Sequence, residues 1–242
     1  DLNLVGFGGY GHFIAEVLPA ALLLFQNGWR LRELQGDATF VESIRLVLRT
    51  EIRAIGASEH IVSPHNQISG DIEIGDIHYP HAAGIMVLRA WAANFITSSS
   101  RTTRLFVARR PNTSRSRWIS NEEEILPVLE EFNVSVVFPE DLSFGEQVSL
   151  FAAAELVIGT HGSGLFNAIF ASKECAVIEL APRKDYRWGN VSIARTLSQR
   201  HTVIVMEASP AMEDHFIVDP GKIRDVLAEE LGSSTRPTGT NR

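Results

Sequence analysis

An α/β protein built on mostly parallel sheets is the fold class that these 242 residues predict. Three observations predict it. From Arg104 onward, apolar runs of strand length alternate with helical patterns. The helices carry start signals: Asn121 stands before three glutamates, and Ser143 and Glu146 have capping-box spacing. Finally, an apolar run ends in Gly159, a turn holding His161 and two glycines follows, and an apolar-rich helix pattern begins at once.

The elements read in order as follows. Leu2 to Val5 is a short apolar run, Gly6 to Gly11 is glycine-rich, and His12 to Asn27 is a largely apolar helix. Ala38 to Val41 reads as a strand and Ser43 to Ile55 as a helix. His60 to Ser63 and Asp71 to Tyr79 read as strands, and Gly84 to Ile96 as a helix. The polar stretch Ser98 to Thr103 is the expected joint between two halves. Beyond it come strand 104–108, helix 121–132, strand 134–138, helix 143–154, strand 155–159, helix 162–171 and strand 176–180. Residues 187–200 are partly helical, 201–206 a strand and 220–231 a helix. The division expected is 1–100, 101–231 and a small polar, disordered tail at 232–242.

Composition bounds the function. Hydrophobic residues make up 45% and charged residues 21%, enough for a core without staples. The formal net charge of −7 is the wrong sign for a broad nucleic-acid surface, so no nucleic-acid partner is expected. The single cysteine, Cys175, permits no intramolecular disulfide and no cysteine-based zinc site, and favours a reducing compartment. No run approaches the roughly 18 apolar residues of a membrane span. The sequence opens on Asp1 rather than Met, so the N-terminal half is expected to be truncated.

A helix opening off a glycine turn presents free N–H groups and a positive dipole end, a place to hold phosphate. In the turn Gly159 to Asn167 these are the groups of Gly162, Ser163 and Gly164, with His161 as an added donor. Arg109 and Arg110 end the strand 104–108, with Arg115 and Arg117 close behind. Ligands of α/β sheets bind outside the carboxyl ends of strands, and arginine forks match phosphate oxygens. A solvated basic loop is the plainer alternative. Glu179 ends the strand 176–180, where it could bind ribose hydroxyls or pair with Arg183 or Lys184. His12 and Glu16 are four apart and share a helix face, either toward solvent or at a cleft where one could accept a proton. Gly6 to Gly11 also fits G-x-G-x-x-G, which leaves an NAD(P)- or FAD-binding oxidoreductase as a rival. No Asp-x-Asp pair offers the usual carboxylate clamp for a metal-bound nucleotide sugar.

Several of these pieces occur together in glycosyltransferase family 61. His12-Phe-Ile-Ala-Glu16-Val-Leu-Pro19 resembles its His-Phe-x-x-Asp/Glu-x-x-Pro segment. Leu105 to Arg110 and then Arg117 to Glu124 resemble its arginine-ended strand and Arg-x-Ile-x-Asn-Glu-x-Glu. Pro139 to Val148 matches Pro-Glu-x-Leu-Ser-Phe-x-Glu-Gln-Val, and Gly159 to Phe170 resembles Gly-x-His-Gly-Ala-Gly-Leu-x-Asn-x-x-Phe, with Ser163 in place of alanine. The resemblance spans about residues 10 to 182. It implies an inverting glycosyltransferase of GT-B type, with two Rossmann-like halves facing across a cleft. It also implies a nucleotide-sugar donor, often UDP-linked, a glycan or other hydroxyl acceptor, and no obligatory metal or cofactor. On that basis Arg109, Arg110, Arg117, His161, Gly162, Ser163, Gly164, Asn167 and Glu179 are expected at the donor, and His12 or Glu16 as base. A non-catalytic nucleotide- or sugar-binding module is a further alternative. The single cysteine and acidic character suit a bacterial cytoplasmic enzyme of surface polysaccharide synthesis, with a secretory-pathway lumen the setting for a eukaryotic relative.

Overall fold

The computed structural model describes residues 2–4, 10–19, 22, 31–34, 82–97, 103–110, 118–183, 186, 188–210 and 215–233. The segments 38–41, 43–55, 60–63 and 71–79 read from the sequence lie outside them, as do Gly6 to Gly9, Arg115, Arg117, Lys184 and residues 234–242.

The chain begins with strand β1 (Leu2–Leu4) and a helical turn α1 (Tyr10–His12), which continues as a π-helical turn over Phe13–Val17. Strand β2 (Leu31–Leu34) pairs with β1 in parallel. Helix α2 (Ala82–Ala92) runs on into a 3-10 turn at Ala93–Phe95. Then come β3 (Thr103–Val107), β4 (Trp118–Ile119), α3 (Glu122–Glu131), β5 (Ser135–Val137) and α4 (Phe144–Ala152). Strand β6 (Ala154–Thr160) leads into a 3-10 helix at Ser163–Phe170. The chain continues through β7 (Ala176–Pro182), α5 (Gly189–Leu197), β8 (Arg200–Ala208), β9 (His215–Ile217) and α6 (Pro220–Ser233).

Seven strands form one sheet in the order β4-β9-β8-β7-β6-β3-β5. From β5 through β3, β6 and β7 to β8, all pairs are parallel, whereas β9 runs antiparallel to β8. The five parallel strands thus follow the doubly wound order 2-1-3-4-5. Between β3 and β5 the chain forms β4 at the far edge beside β9; among the parallel strands, β5 then lies on one side of β3 and β6 on the other. That reversal opens a crevice above the carboxyl ends of β3 and β6.

Both faces of the sheet are covered at its centre, where β6 and β7 are apolar along most of their length. Leu105, Val107, Val157 and Val177 face one side, where Phe13, Ile14, Leu18, Ile85, Leu88, Phe144, Val148, Phe151 and Ile193 pack. Phe106, Leu156, Ile158, Ile178 and Leu180 face the other, against Ile125, Val128 and Leu129 of α3 and Ile223 and Leu227 of α6. Described parts of residues 1–100 therefore join the core of the seven-stranded sheet. Arg89 of α2 reinforces this by donating to the carbonyls of Ile169 and Ala171 at the end of the 3-10 helix.

Local signals act as the sequence predicts at α4. Ser143 N donates to Glu146 Oε2 at 2.8 Å and Glu146 N to Ser143 Oγ at 3.4 Å, closing the capping box. Asn121 differs. Its side chain makes no cap bond and instead brackets Val218, donating to its carbonyl at 2.8 Å and accepting from its N–H at 3.1 Å. The expected helix at 162–171 is a 3-10 helix. Leu165 to Phe170 are all buried, so no solvent face sets an α-helical period. The last helix extends to Ser233, past the expected start of the tail. β4 and β9 are two and three residues long, too short for a readable alternation.

Phe144 stacks edge-on with Phe95 and Phe170 at 5.5 and 5.7 Å and is fully buried. Phe144→Ala is expected to destabilise the fold by about 3–5 kcal/mol. Denaturant unfolding with an unchanged slope would check it; a loss below about 1 kcal/mol would contradict the packing described.

Candidate functional site

Adjacent residues of an extended chain point opposite ways, and this separates the two arginines that follow β3. Arg109 turns toward the end of β6, where its Nη2 donates to the His161 carbonyl at 3.3 Å. Arg110 turns outward, ion-pairs with Asp141 and lies 4.1 Å from the centre of the Phe138 ring. Its N–H also donates to Glu140 at 3.2 Å. The sequence assigned both arginines to the donor; the structure brings only Arg109 to the glycine turn.

That turn is built by close approach. Gly162 has φ +149°, and a Cβ on it would sit 1.9 Å from Arg109 Nη2. The first N–H groups of the helix at Ser163–Phe170 have no partner within the helix itself. They emerge at the β3–β6 crevice, beside the Arg109 guanidinium. The geometry concentrates positive charge and directed donors at one place, as an anion requires.

His161 ties the turn to the sheet. Its N–H donates to the Leu180 carbonyl at 2.7 Å, and its Nδ1 lies 2.6 Å from Glu179 Oε1. Glu179 is fully buried, on the face of β7 that also carries Val177. Asn190 Nδ2 bonds the same Oε1, and Tyr186 donates its hydroxyl to Oε2 at 2.8 Å. His201 Nε2 stands 3.1 Å from Oε2. Burial works against ionisation of this carboxyl, but hydrogen bonding from His161 and Asn190 and the nearness of His201 outweigh it and bring it down to about 2. Of the two partners offered by sequence, Arg183 pairs with Glu207 at 3.1 Å instead, and Lys184 lies outside the described residues.

Asn167 is also fully buried. It donates to Gln147 Oε1 at 2.9 Å and to the Gly164 carbonyl at 3.3 Å, and accepts from the Tyr10 hydroxyl. Gly11 packs against Ser163, where an added Cβ would lie 2.9 Å from the serine Cβ. The N-terminal helix carrying His12 and Glu16 is thereby seated on the glycine turn, although the positions of those two side chains lie outside what is described. Arg117 is outside the described residues altogether.

Tyr186, Asn190, His201, Gln147 and Tyr10 were not singled out in the sequence. Gln147 had a signal: it is a polar residue on the apolar face of Phe144, Val148 and Phe151. Among the described residues no three His, Cys, Asp or Glu side chains are arranged to hold a metal ion. Cys175 is buried, and its thiol is pushed up to about 12, chiefly by that burial, so it is no nucleophile.

Two outcomes follow from this geometry. Gly162→Ala is expected to displace Arg109 and to cost about 1–3 kcal/mol of backbone strain, checked by denaturant unfolding. A carboxyl depressed in the folded state contributes stability above its unfolded value, which is lost as pH falls through the folded value. For Glu179 the window runs from the ordinary 4.5 down to about 2. The stability difference between wild type and Glu179→Gln should therefore shrink by about 3 kcal/mol as pH falls across it. A pH-independent difference would contradict the ionised, buried carboxylate.

A family model described as "Glycosyltransferase 61" matches residues 10–178. Among curated proteins, alpha-1,3-arabinosyltransferase XAT3 of Oryza sativa subsp. japonica is 31% identical over 98 residues. That match covers 38% of this chain and 16% of the rice protein, so the chain corresponds to a small part of that relative. The family match begins in α1, ends within β7 and takes in Arg109, the glycine turn and Asn167. It covers more than half of the sequence, and the chain belongs to the glycosyltransferase 61 family.

Proposed function

We propose that this chain binds the nucleoside-diphosphate moiety of a sugar donor and transfers the sugar to a hydroxyl acceptor with inversion.

The observation that carries this reading is the meeting of Arg109 and the Gly162–Gly164 turn at the β3–β6 crevice, with Arg109 Nη2 3.3 Å from the His161 carbonyl. Ligands of doubly wound sheets bind at that reversal of strand order. A diphosphate carries its charge there, against a guanidinium and the start of a helix. Membership of the family supports sugar transfer as the reaction. UDP is the nucleotide in our reading, and the name of the rice relative puts a pentose among the sugars to test first.

The reaction breaks the bond between the anomeric carbon and the diphosphate oxygen. The acceptor hydroxyl loses its proton to a base and attacks from the opposite face, which inverts the carbon. Negative charge grows on the leaving diphosphate, and Arg109 with the turn N–H groups stabilises it more in the transition state than in the ground state. These groups do the work that a metal does elsewhere, so transfer proceeds without one in this reading. Glu16 or His12 supplies the base. Support for that assignment comes from the packing of Gly11 on Ser163, which sets their helix beside the donor turn.

The test is a screen of nucleotide sugars, UDP-arabinose and UDP-xylose included, for release of nucleoside diphosphate with and without EDTA. Release from at least one donor, unchanged by EDTA, is expected. Loss of all activity in EDTA would end the metal-free reading, and thermal stabilisation by NAD but not UDP would favour the oxidoreductase. Arg109→Ala is expected to lower transfer at least about a hundredfold at similar stability, since one such donor supplies about 2.7–4 kcal/mol. Near-normal rates in that variant would remove Arg109 from the site.

A further inference from the structure

We propose that Glu179 is a positioning residue: through His161 it holds the Gly162–Gly164 turn against Arg109, and it makes no contact with the donor. The inference rests on the donor reading above and assigns the division of labour within that site.

Burial argues for it first. None of the Glu179 side chain and 4% of that of His161 reaches solvent. Both carboxylate oxygens are engaged from within: Oε1 by His161 and Asn190, Oε2 by Tyr186, with His201 3.1 Å away. Ribose hydroxyls would have to displace these partners and leave buried donors unpaired. A carboxylate so placed serves the protein's own groups.

The second argument is how His161 is held. Its N–H is fixed to the Leu180 carbonyl on β7, its carbonyl accepts from Arg109, and its ring is fixed to Glu179. Three ties on one residue leave the next residue, Gly162, little freedom. Gly162 then takes φ +149° and lies directly under the guanidinium. Loosening the Glu179 tie frees the ring, and with it the carbonyl that orients Arg109. Tyr186 adds a support from outside: its ring lies 5.1 Å from the His161 ring, centre to centre, while its hydroxyl holds Glu179.

The experiment titrates the full chain with UDP, GDP, inorganic pyrophosphate and uridine by calorimetry, and follows melting in parallel. Glu179→Gln is expected to weaken UDP and pyrophosphate binding at least tenfold, with uridine binding unchanged. Tyr186→Phe keeps the ring and removes one donor; it should weaken the same two ligands two- to fivefold. A purely structural role would lower the melting temperature and leave the affinity of folded protein unchanged, which would overturn the inference. Should Glu179→Gln fail to fold, wild-type affinity in Tyr186→Phe would overturn it equally. Wild-type protein that binds none of UDP, GDP and pyrophosphate would defeat the donor reading itself, a result distinct from either of these.

Discussion

An ionised carboxylate without solvent must find its donors inside the protein, and the end of this sheet is arranged around that requirement at Glu179. An uncompensated charge there would cost several kcal/mol. The donors come from two places, His161 after β6 and Tyr186 with Asn190 around the start of α5, and His201 on β8 stands 3.1 Å from Oε2. Meeting one electrostatic demand therefore fixes the ends of three neighbouring strands and a helix relative to one another. The parity of the strands makes this possible. Val177 and Glu179 share a face of β7, and His201 stands opposite Val177 on β8, so the polar groups collect on one side of the sheet above its apolar rows.

The crevice itself comes from chain order and from two glycines. Because β3 lies between β5 and β6, the order of the parallel strands reverses there, and ligands of doubly wound sheets bind at such a reversal. Gly159 lets β6 press close to β3: a Cβ there would lie 2.9 Å from Val107 Cβ and 3.1 Å from its carbonyl oxygen. Gly162 then admits the guanidinium of Arg109 at a distance that any side chain would forbid. The positive charge sits in the crevice because the backbone there has no side chain in the way.

Local information was legible in the sequence, and partnerships across the fold were not. The strand series from β3 onward, the capping box at Ser143 and the strand–turn–helix at Gly159 to Asn167 are set by short-range patterns, and each reappears in the structure. Arg109 and Arg110 were indistinguishable, since their separation depends on which way a strand end points. Glu179 was visible as an acid in an apolar run, Ala176-Val-Ile-Glu-Leu180, but its donors lie in other elements and no spacing along the chain reveals them. The 3-10 character of Ser163–Phe170 escaped for a related reason: a helix buried on every side has no polar face to report its period. The pairing of Asn121 with Val218 joins residues far apart in sequence and overrides a local cap preference.

Asn167 extends the same logic to the N-terminal helix. A fully buried amide has donors and an acceptor to satisfy, and here they go to Gln147, the Gly164 carbonyl and the Tyr10 hydroxyl. Burial raises the Tyr10 pKa, so the phenol remains a neutral donor to that amide. One side chain thus joins α4, the glycine turn and the start of the helix that carries His12 and Glu16. Transfer chemistry needs its base and its leaving-group donors held at a constant separation, because a small misplacement weakens both. On the proposed function, a buried rivet between the two segments supplies that constancy. The polar residues around the crevice accordingly fall into two sets. On the proposed function, Arg109 and the N–H groups of the turn meet the ligand, while His161, Asn167 and Glu179, which lie in the interior, hold them there.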